Sequence, residues 1–183
     1  MKPWQRLAAS AVTVLGLAGA AAAWHSRPRR GGPVVRTDNS FEFTARAPLR
    51  EAFPLFGAWG ERAWAGESWQ PRFLYPDPPR DEAGEVFTVS HGHSGQEATW
   101  VNTTFDVETG RIQYVYVLPG VQAVLIDLAL QEQPGASSTV VRVRYRRTAL
   151  SSDLNERVEK LGREDAASAP EWERDVNAAL HRS

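Results

Sequence analysis

The feature that most constrains this chain is a succession of strand-like segments between residues 71 and 148. The segments are rich in β-branched and aromatic residues, and the stretches between them are rich in Gly, Pro, Asp and Ser, which favour turns. Consecutive strands with short connections pair in antiparallel fashion, so the sequence predicts a meander. Its six segments are PRFLYP (71–76), EVFTVSH (85–91), ATWVNTTFDV (98–107), RIQYVYVL (111–118), VQAVLIDLALQ (121–131) and STVVRVRYRRT (138–148).

Further elements are predicted on both sides of the meander. Residues 41–47, FEFTARA, alternate apolar and polar side chains as a half-buried strand does. Two short helices are predicted next, at 48–59 and 61–66, and helical patterns return over 151–161 and 170–180. The apolar face of the sheet needs a cover, and the C-terminal helical region is the long element left to supply it. The sequence therefore predicts an α+β fold in which an antiparallel sheet and a C-terminal helix enclose one interior.

The N-terminal residues predict a leader rather than part of this fold. Residues 1–24 contain an uncharged apolar run behind a short basic segment, which is typical of a signal peptide or an N-terminal membrane anchor. The small residues at 20–22 suit a cleavage site, whereas the basic residues at 27–30 would keep an uncut domain on the cytoplasmic side. A Gly/Pro/Arg-rich linker is predicted over 25–40 and the domain over 41–183. We expect export to the periplasm or the extracellular space, or anchoring at a membrane.

The charge distribution argues against nucleic-acid binding. The chain has a net charge of -1, but its first thirty residues carry five basic and no acidic side chains, so the remainder is acidic. An acidic body without a basic stripe offers no surface for phosphate groups. The chain also has no cysteine, which excludes disulfides, thiolate metal sites and cysteine nucleophiles. No cofactor is expected, and the oligomeric state stays open.

Several short motifs, in this order along the chain, resemble the START-like superfamily, also called the SRPBCC or polyketide cyclase/dehydrase-like superfamily. They are ESWQPRFLYP, GEVF, TWVNTTFDVETGRIQYV, LPG, VRVRYRRTALSSDLNERV and the Trp-bearing EWERDVNAAL, within residues 41–180. The resemblance implies the helix-grip fold, a curved antiparallel sheet around a long C-terminal helix, with a cavity for a lipid or another hydrophobic molecule. Members of the superfamily include carriers, sensors, cyclases and hydrolases and share no catalytic motif. The segment GREDAASAP departs from the pattern, because Pro170 should break the terminal helix.

Nine residues are candidates for contact with such a ligand. Packing in the core explains any single aromatic residue, but as a set they favour a pocket for an apolar or ring-bearing molecule. Two of the tyrosines depend on the register across LPG, since a two-residue turn places them on the outer face of the sheet and a one-residue shift places them in the cavity. The candidates are Trp69, Phe73, Tyr75, Phe87, His91, Trp100, Tyr114, Tyr116 and Tyr145.

The stretch VSHGHSG (89–95) resembles a chemical site more than any other motif in the chain. His91 and His93 are spaced so that an extended strand would put both imidazoles on one face, as in some metal sites. Gly92 and the Ser-Gly that follows His93 place the pair at a hairpin, and no acidic third ligand is fixed nearby. We therefore predict no metal there and assign no catalytic residue, although these histidines are the weak candidates for a general base. A contact at the cavity rim and a plain polar turn both remain open.

Asp127, inside VLIDLAL, has two interpretations. If the turn of the last hairpin is centred on residues 134–135, Asp127 lies opposite Arg142 and one face of the hairpin is wholly apolar. A cross-strand ion pair is then the favoured interpretation, against a buried catalytic carboxylate.

Three functions follow from these features. The first is binding of a hydrophobic small molecule or lipid in a cavity between the sheet and the C-terminal helix, as a carrier or sensor. The second is an enzyme of the cyclase/dehydratase or hydrolase type that uses the same cavity, which the sequence favours less. The third is a protein-interaction module whose pocket is filled by its own side chains. The expected partners are the hydrophobic molecule and, with an uncleaved leader, a membrane.

Overall fold

The computed structural model describes residues 32–91 and 96–182, with a seven-stranded antiparallel sheet at the centre. Neighbouring strands in the meander are neighbours in the sheet, and the N-terminal strand joins the free edge of the last one, which gives the order β1-β7-β6-β5-β4-β3-β2. The predicted α+β architecture, with a curved sheet and short helices after the first strand, is confirmed. The strands are β1 (Arg36–Ala45), β2 (Arg72–Tyr75), β3 (Val86–His91), β4 (Gln96–Asp106), β5 (Arg111–Leu118), β6 (Gln122–Glu132) and β7 (Thr139–Ala149).

Strand β1 begins at Arg36, five residues before the predicted strand and inside the predicted linker. Its early residues pair with β7, although they lack the apolar alternation that predicts a strand. These residues are polar because Thr37 and Asn39 lie against the helix backbone at Gly162 and not against the apolar core. A Cβ atom on Gly162 would lie 2.7 Å from the Asn39 amide nitrogen, so a glycine permits this close approach.

The helices lie where the sequence predicts them, with different subdivisions. Helix α1 (Leu49–Ala52) continues as a 3₁₀ helix at Phe53–Phe56, because Pro54 cannot extend an α-helix, and a second 3₁₀ turn covers Gly60–Ala63. The C-terminal region forms α2 (Asn155–Ala166) and α3 (Ala169–Leu180). Pro170 occupies the first turn of α3, so the expected break is present and the terminal cover is two helices in sequence.

The register of the last hairpin differs from the prediction by two residues. Asp127 lies opposite Arg144, not Arg142, because the loop between the strands spans residues 133–138 and is closed by a hydrogen bond from the Gln133 amide to the Ser138 carbonyl. A shift of two keeps every side chain on its predicted face. Asp127 still forms an ion pair, with Arg146, and it also accepts a hydrogen bond from the Gln113 amide group.

One buried side chain of helix α3, Asn177, forms hydrogen bonds with the backbone at the end of β1. The Asn177 amide oxygen accepts a hydrogen bond from the Arg46 backbone N–H (2.7 Å), and its NH₂ group donates to the Thr44 carbonyl (2.9 Å). These bonds occupy backbone groups at the edge of β1, where the sheet ends.

Replacing Asn177 by Ala should lower the free energy of unfolding by about 1.5 kcal/mol, because two partly buried backbone groups lose their partners. Chemical denaturation monitored by circular dichroism measures this difference. Arg174→Ala changes an exposed residue of the same helix and should alter the free energy by no more than about 0.5 kcal/mol. Equal effects of the two changes would contradict the attachment role.

Among the helices formed by residues 32–91 and 96–182, none has both the length and the apolar composition required to cross a bilayer. The leader predicted for residues 1–24 lies outside the described residues and stays a prediction.

Candidate ligand cavity

A small cavity lies between the inner face of the sheet and α3. Strands β4 to β7 each contribute inward side chains to its wall, and Trp172 of α3 closes it from the opposite side. Its volume is about 30 Å³, close to the ~30 Å³ that one water molecule occupies in the liquid. The wall consists of Glu61, Trp69, Trp100, Tyr114, Tyr116, Ile126, Leu128, Tyr145, Arg147 and Trp172.

Aromatic rings occupy most of the space between sheet and helix. Trp100 stacks on Tyr116 with ring centres 4.1 Å apart, and Trp69 meets Trp100 edge-on at 5.6 Å. Phe87, on the neighbouring strand, stacks on Trp100 with ring centres 5.7 Å apart. The interior is therefore nearly closed by its own side chains, which is the arrangement that a filled pocket would have.

One end of the cavity is polar and fully buried. The Arg147 guanidinium donates two hydrogen bonds to the Asp165 carboxylate, from Nε (2.6 Å) and Nη2 (2.7 Å). Both side chains are only 3% exposed, so this ion pair joins β7 to α2 without contact with solvent. Arg147 Nη1 also donates to the Tyr116 hydroxyl (2.7 Å), which accepts a second bond from the Gln122 amide (3.0 Å). The opposite charges of Arg147 and Asp165 compensate each other inside the fold, and their hydrogen bonds hold the network in place.

A second buried polar group lies behind Tyr114. Glu85, with 0% of its surface exposed, accepts hydrogen bonds from the Asn102 amide and the Glu82 backbone N–H, both at 3.2 Å. Burial raises the pKa of Glu85 to about 7, with a further contribution from the nearby Asp81 carboxylate, although its hydrogen-bond donors act in the opposite direction. Burial also raises the pKa of Asp81, which accepts hydrogen bonds from two backbone N–H groups. Burial thus weakens the acidity of both carboxyl groups.

One polar atom of the cavity wall has no partner among the described residues. The Trp100 side chain is 7% exposed, and its indole N–H makes no hydrogen bond within residues 32–91 and 96–182. By contrast, the indole N–H of Trp69, in the same wall, donates to the Ala58 carbonyl at 2.9 Å.

A larger cleft opens on the surface next to the cavity. It has a volume of about 570 Å³ and lies between the 62–70 segment and the C-terminal end of α3. Asp175, Ala178 and Arg182 line the helix side, and the Arg182 guanidinium donates to the Ala63 carbonyl across the gap (2.8 Å). Trp69 belongs to the wall of both the cleft and the cavity. The Trp69 indole therefore borders both the inner space and the outer one.

The structure brings together five of the nine residues predicted for ligand contact. Phe87 lies in the layer next to the cavity, Phe73 is half-buried against it, and Tyr75 is 54% exposed at the edge of the sheet. The backbone of His91 ends β3 opposite Gln96, and His93 lies outside the described residues. Tyr114 and Tyr116, whose faces were left open, both point inward. The five in the cavity wall are Trp69, Trp100, Tyr114, Tyr116 and Tyr145.

Other wall residues were missed by the sequence analysis. The wall also contains Ile126, Leu128 and Arg147, which are not among the nine predicted contacts. Strand alternation from Val143 and Tyr145 places Arg147 inward, so the pattern contained that information. Trp172 and Glu61 come from other elements, and only the tertiary packing brings them to the cavity.

Within the described part of the chain, no three acidic or histidine side chains are grouped as metal ligands would be. The cavity wall there contains no histidine.

The fold matches that of known structures. An aromatase/cyclase, Zhui, from Streptomyces sp. R1128 superposes with a TM-score of 0.60 at 14% identity, covering 81% of this chain and 95% of that one. This chain has the helix-grip fold of the START-like proteins. Norcoclaurine synthase from Thalictrum flavum gives a TM-score of 0.59 at 11% identity, covering 93% of this chain and 98% of that one. For Ara h 8.0201 the values are 0.52 and 11%, with coverages of 81% and 100%.

At these identities the likeness extends to the helix-grip fold alone. No protein-family model matches the chain, and no curated protein matches it in sequence. The known helix-grip proteins that resemble it therefore differ from it in almost all of their side chains.

Proposed function

We propose that this helix-grip protein binds a hydrophobic, ring-bearing small molecule in the cavity between sheet and α3. The observation that carries the proposal is the composition of the wall, in which six aromatic side chains surround a few fixed polar groups. Ligand sites are typically concave and mostly apolar, with a small number of placed polar atoms. Flat rings suit such a wall because they can stack on it.

The helix-grip neighbours support a ring-bearing ligand. One structure of norcoclaurine synthase holds dopamine and hydroxybenzaldehyde, both of which contain a single aromatic ring. That protein binds these two compounds, and the proposal for this chain uses only their chemical class, a small molecule with an aromatic ring.

Binding requires the cavity to widen. Its volume of about 30 Å³ is far below the ~300 Å³ at which typical ligand pockets begin. The surface cleft of about 570 Å³ supplies the needed space, because Trp69 alone is shared by the two walls. Displacement of the 62–70 segment from α3 would join cleft and cavity into one site.

A titration of the full chain with 2-acetylnaphthalene tests the proposal. We expect quenching of tryptophan fluorescence with a dissociation constant in the micromolar range, because Trp69 and Trp100 line the site. Ile126→Phe adds a ring to the cavity wall and should weaken binding at least about tenfold, since close-packed interiors have no spare volume. Leu125→Phe is the matched control, one residue away on the outer face of β6, and should bind as the wild type does.

Native mass spectrometry of the full chain provides the second arm. A lipid that co-purifies would show that the hydrophobic ligand is a lipid rather than a ring-bearing molecule. Absence of both a co-purifying molecule and any titration signal would refute binding in the cavity.

The small cavity volume favours one other candidate, a protein-interaction module whose interior is filled. In that case no ligand should raise the melting temperature of the wild type, the Ile126→Phe variant or the Leu125→Phe variant. A ligand-dependent increase in melting temperature that Ile126→Phe abolishes would exclude this candidate.

A further inference from the structure

Three buried side-chain polar atoms have no hydrogen-bond partner among the described residues, and one of them lies in the cavity wall. Thr37 Oγ1 lies beside Gly162, away from the cavity, and Arg146 Nε belongs to a guanidinium that is already paired with Asp127. The third is the indole N–H of Trp100. A buried donor without an acceptor costs about 1–3 kcal/mol, so such a group is rarely left in a folded protein without a reason.

Three other polar groups of the wall are already engaged. The Tyr114 hydroxyl donates to the Phe56 carbonyl (3.1 Å), and the Tyr116 hydroxyl accepts from Arg147. Arg147 in turn is compensated by Asp165. Among the described residues, Trp100 Nε1 is the buried, unpartnered donor that belongs to the wall, and an incoming molecule can satisfy it without breaking an existing bond.

We infer that the Trp100 indole N–H is the specificity-determining donor of the cavity and selects neutral, planar molecules that carry an acceptor oxygen, such as an aryl ketone. The inference rests on the proposed function and adds the chemical class of the ligand. The ring of Trp100 is held by stacking on Tyr116, so the direction of its N–H is fixed before binding. A negative charge is disfavoured, because the cation of the wall is already paired and Glu61 contributes a carboxyl group.

A pair of isosteric probes tests this selection in the full chain. 2-Acetylnaphthalene and 2-isopropenylnaphthalene have the same shape, but only the first has an acceptor, because C=CH₂ replaces C=O in the second. We expect the wild type to bind the ketone about tenfold more tightly, since satisfying a buried donor contributes roughly 1.4 kcal/mol. 2-Naphthoate, which carries a negative charge, should bind more weakly than the ketone.

Two variants test which indole N–H causes the preference for the ketone over the alkene. In Trp100→Phe the ratio of ketone to alkene affinity should fall to about one, because the donor is gone. Trp69→Phe removes another indole N–H from the same wall, but that group is bonded to Ala58, so the tenfold ratio should persist. Loss of the ratio in Trp69→Phe and not in Trp100→Phe would overturn the assignment.

A measurement on the wild type keeps the inference testable if a variant fails to fold. In ¹⁵N-labelled protein the Trp100 indole N–H resonance should move downfield with the ketone and stay in place with the alkene. Equal affinities for both probes, with no such shift, would contradict the assignment of Trp100 as the specificity-determining donor. That result would still agree with the proposed function. Binding of neither probe, together with the absence of a co-purifying molecule, would contradict both the specificity inference and the proposed function.

Discussion

Replacing Asp165 by Ala should lower the free energy of unfolding by about 3–5 kcal/mol, the largest loss that we expect from a single polar substitution. The change leaves the Arg147 guanidinium charged and only 3% exposed, without its carboxylate partner. The loss should appear as a lower urea midpoint with an unchanged slope, measured by circular dichroism at neutral pH.

An exposed ion pair on the same strand supplies the control. Arg144 binds Asp38 with the same two-bond geometry, at 2.7 and 2.6 Å, but these side chains are 51% and 44% exposed. Asp38→Ala should therefore cost no more than about 1 kcal/mol. The double change Arg147→Met with Asp165→Leu should cost less than Asp165→Ala alone, because no buried charge remains. If Asp165→Ala lowers the free energy of unfolding as little as Asp38→Ala does, water reaches the Arg147–Asp165 pair.

Replacing Glu85 by Gln should raise the free energy of unfolding by about 2 kcal/mol at pH 8.5. Burial raises the pKa of Glu85 in the folded chain to about 7, from its usual 4.5, so the folded state holds an extra proton between these values. Stability from this carboxyl group is therefore complete below pH 4.5 and is lost as the pH rises to about 7. Above that pH the wild type has a buried carboxylate, which the neutral amide of the variant avoids.

Urea denaturation of both proteins from pH 4.5 to pH 8.5 measures the effect, within the window set by the pKa of Glu85. The wild type should lose more stability across this range than Glu85→Gln does. Glu159→Gln, at an exposed position of α2, removes one negative charge without touching the buried group and reports the effect of net charge. Parallel curves for wild type and Glu85→Gln would show that the carboxyl titrates as it does in water.

The order of the elements was predictable because it depends on local signals. Alternation with a period of two and turn residues between segments located all six strands of the meander, and β5 was placed without error at Arg111–Leu118. Pro170 predicted the break before α3 for a similarly local reason. The curvature of the sheet and the enclosed interior were expected from the START-like resemblance, because local patterns do not predict them.

The parts that sequence reasoning misplaced depend on contacts between distant residues. The early part of β1 carries polar side chains because they meet Gly162 of α2, and no local pattern reports such a contact. The two-residue shift of the last hairpin follows from the bond between Gln133 and Ser138, which makes the loop longer than a simple turn on 134–135. The faces of Tyr114 and Tyr116 could not be chosen because one residue in a turn reverses a whole strand.

For the cavity, the sequence determined which types of side chain were available, and the tertiary structure decided what space they leave. The aromatic residues of the meander were candidates for the wall, because alternation sends every second residue of a strand inward, but the sequence did not decide the faces of Tyr114 and Tyr116. Whether those rings surround a large pocket or pack on one another depends on the positions of Trp69 and Trp172, which come from other elements. In the cavity, the described residues leave a volume of about 30 Å³ and leave the Trp100 indole N–H without a partner. Both are properties of packing, since volume and hydrogen-bond satisfaction arise only when separate segments meet.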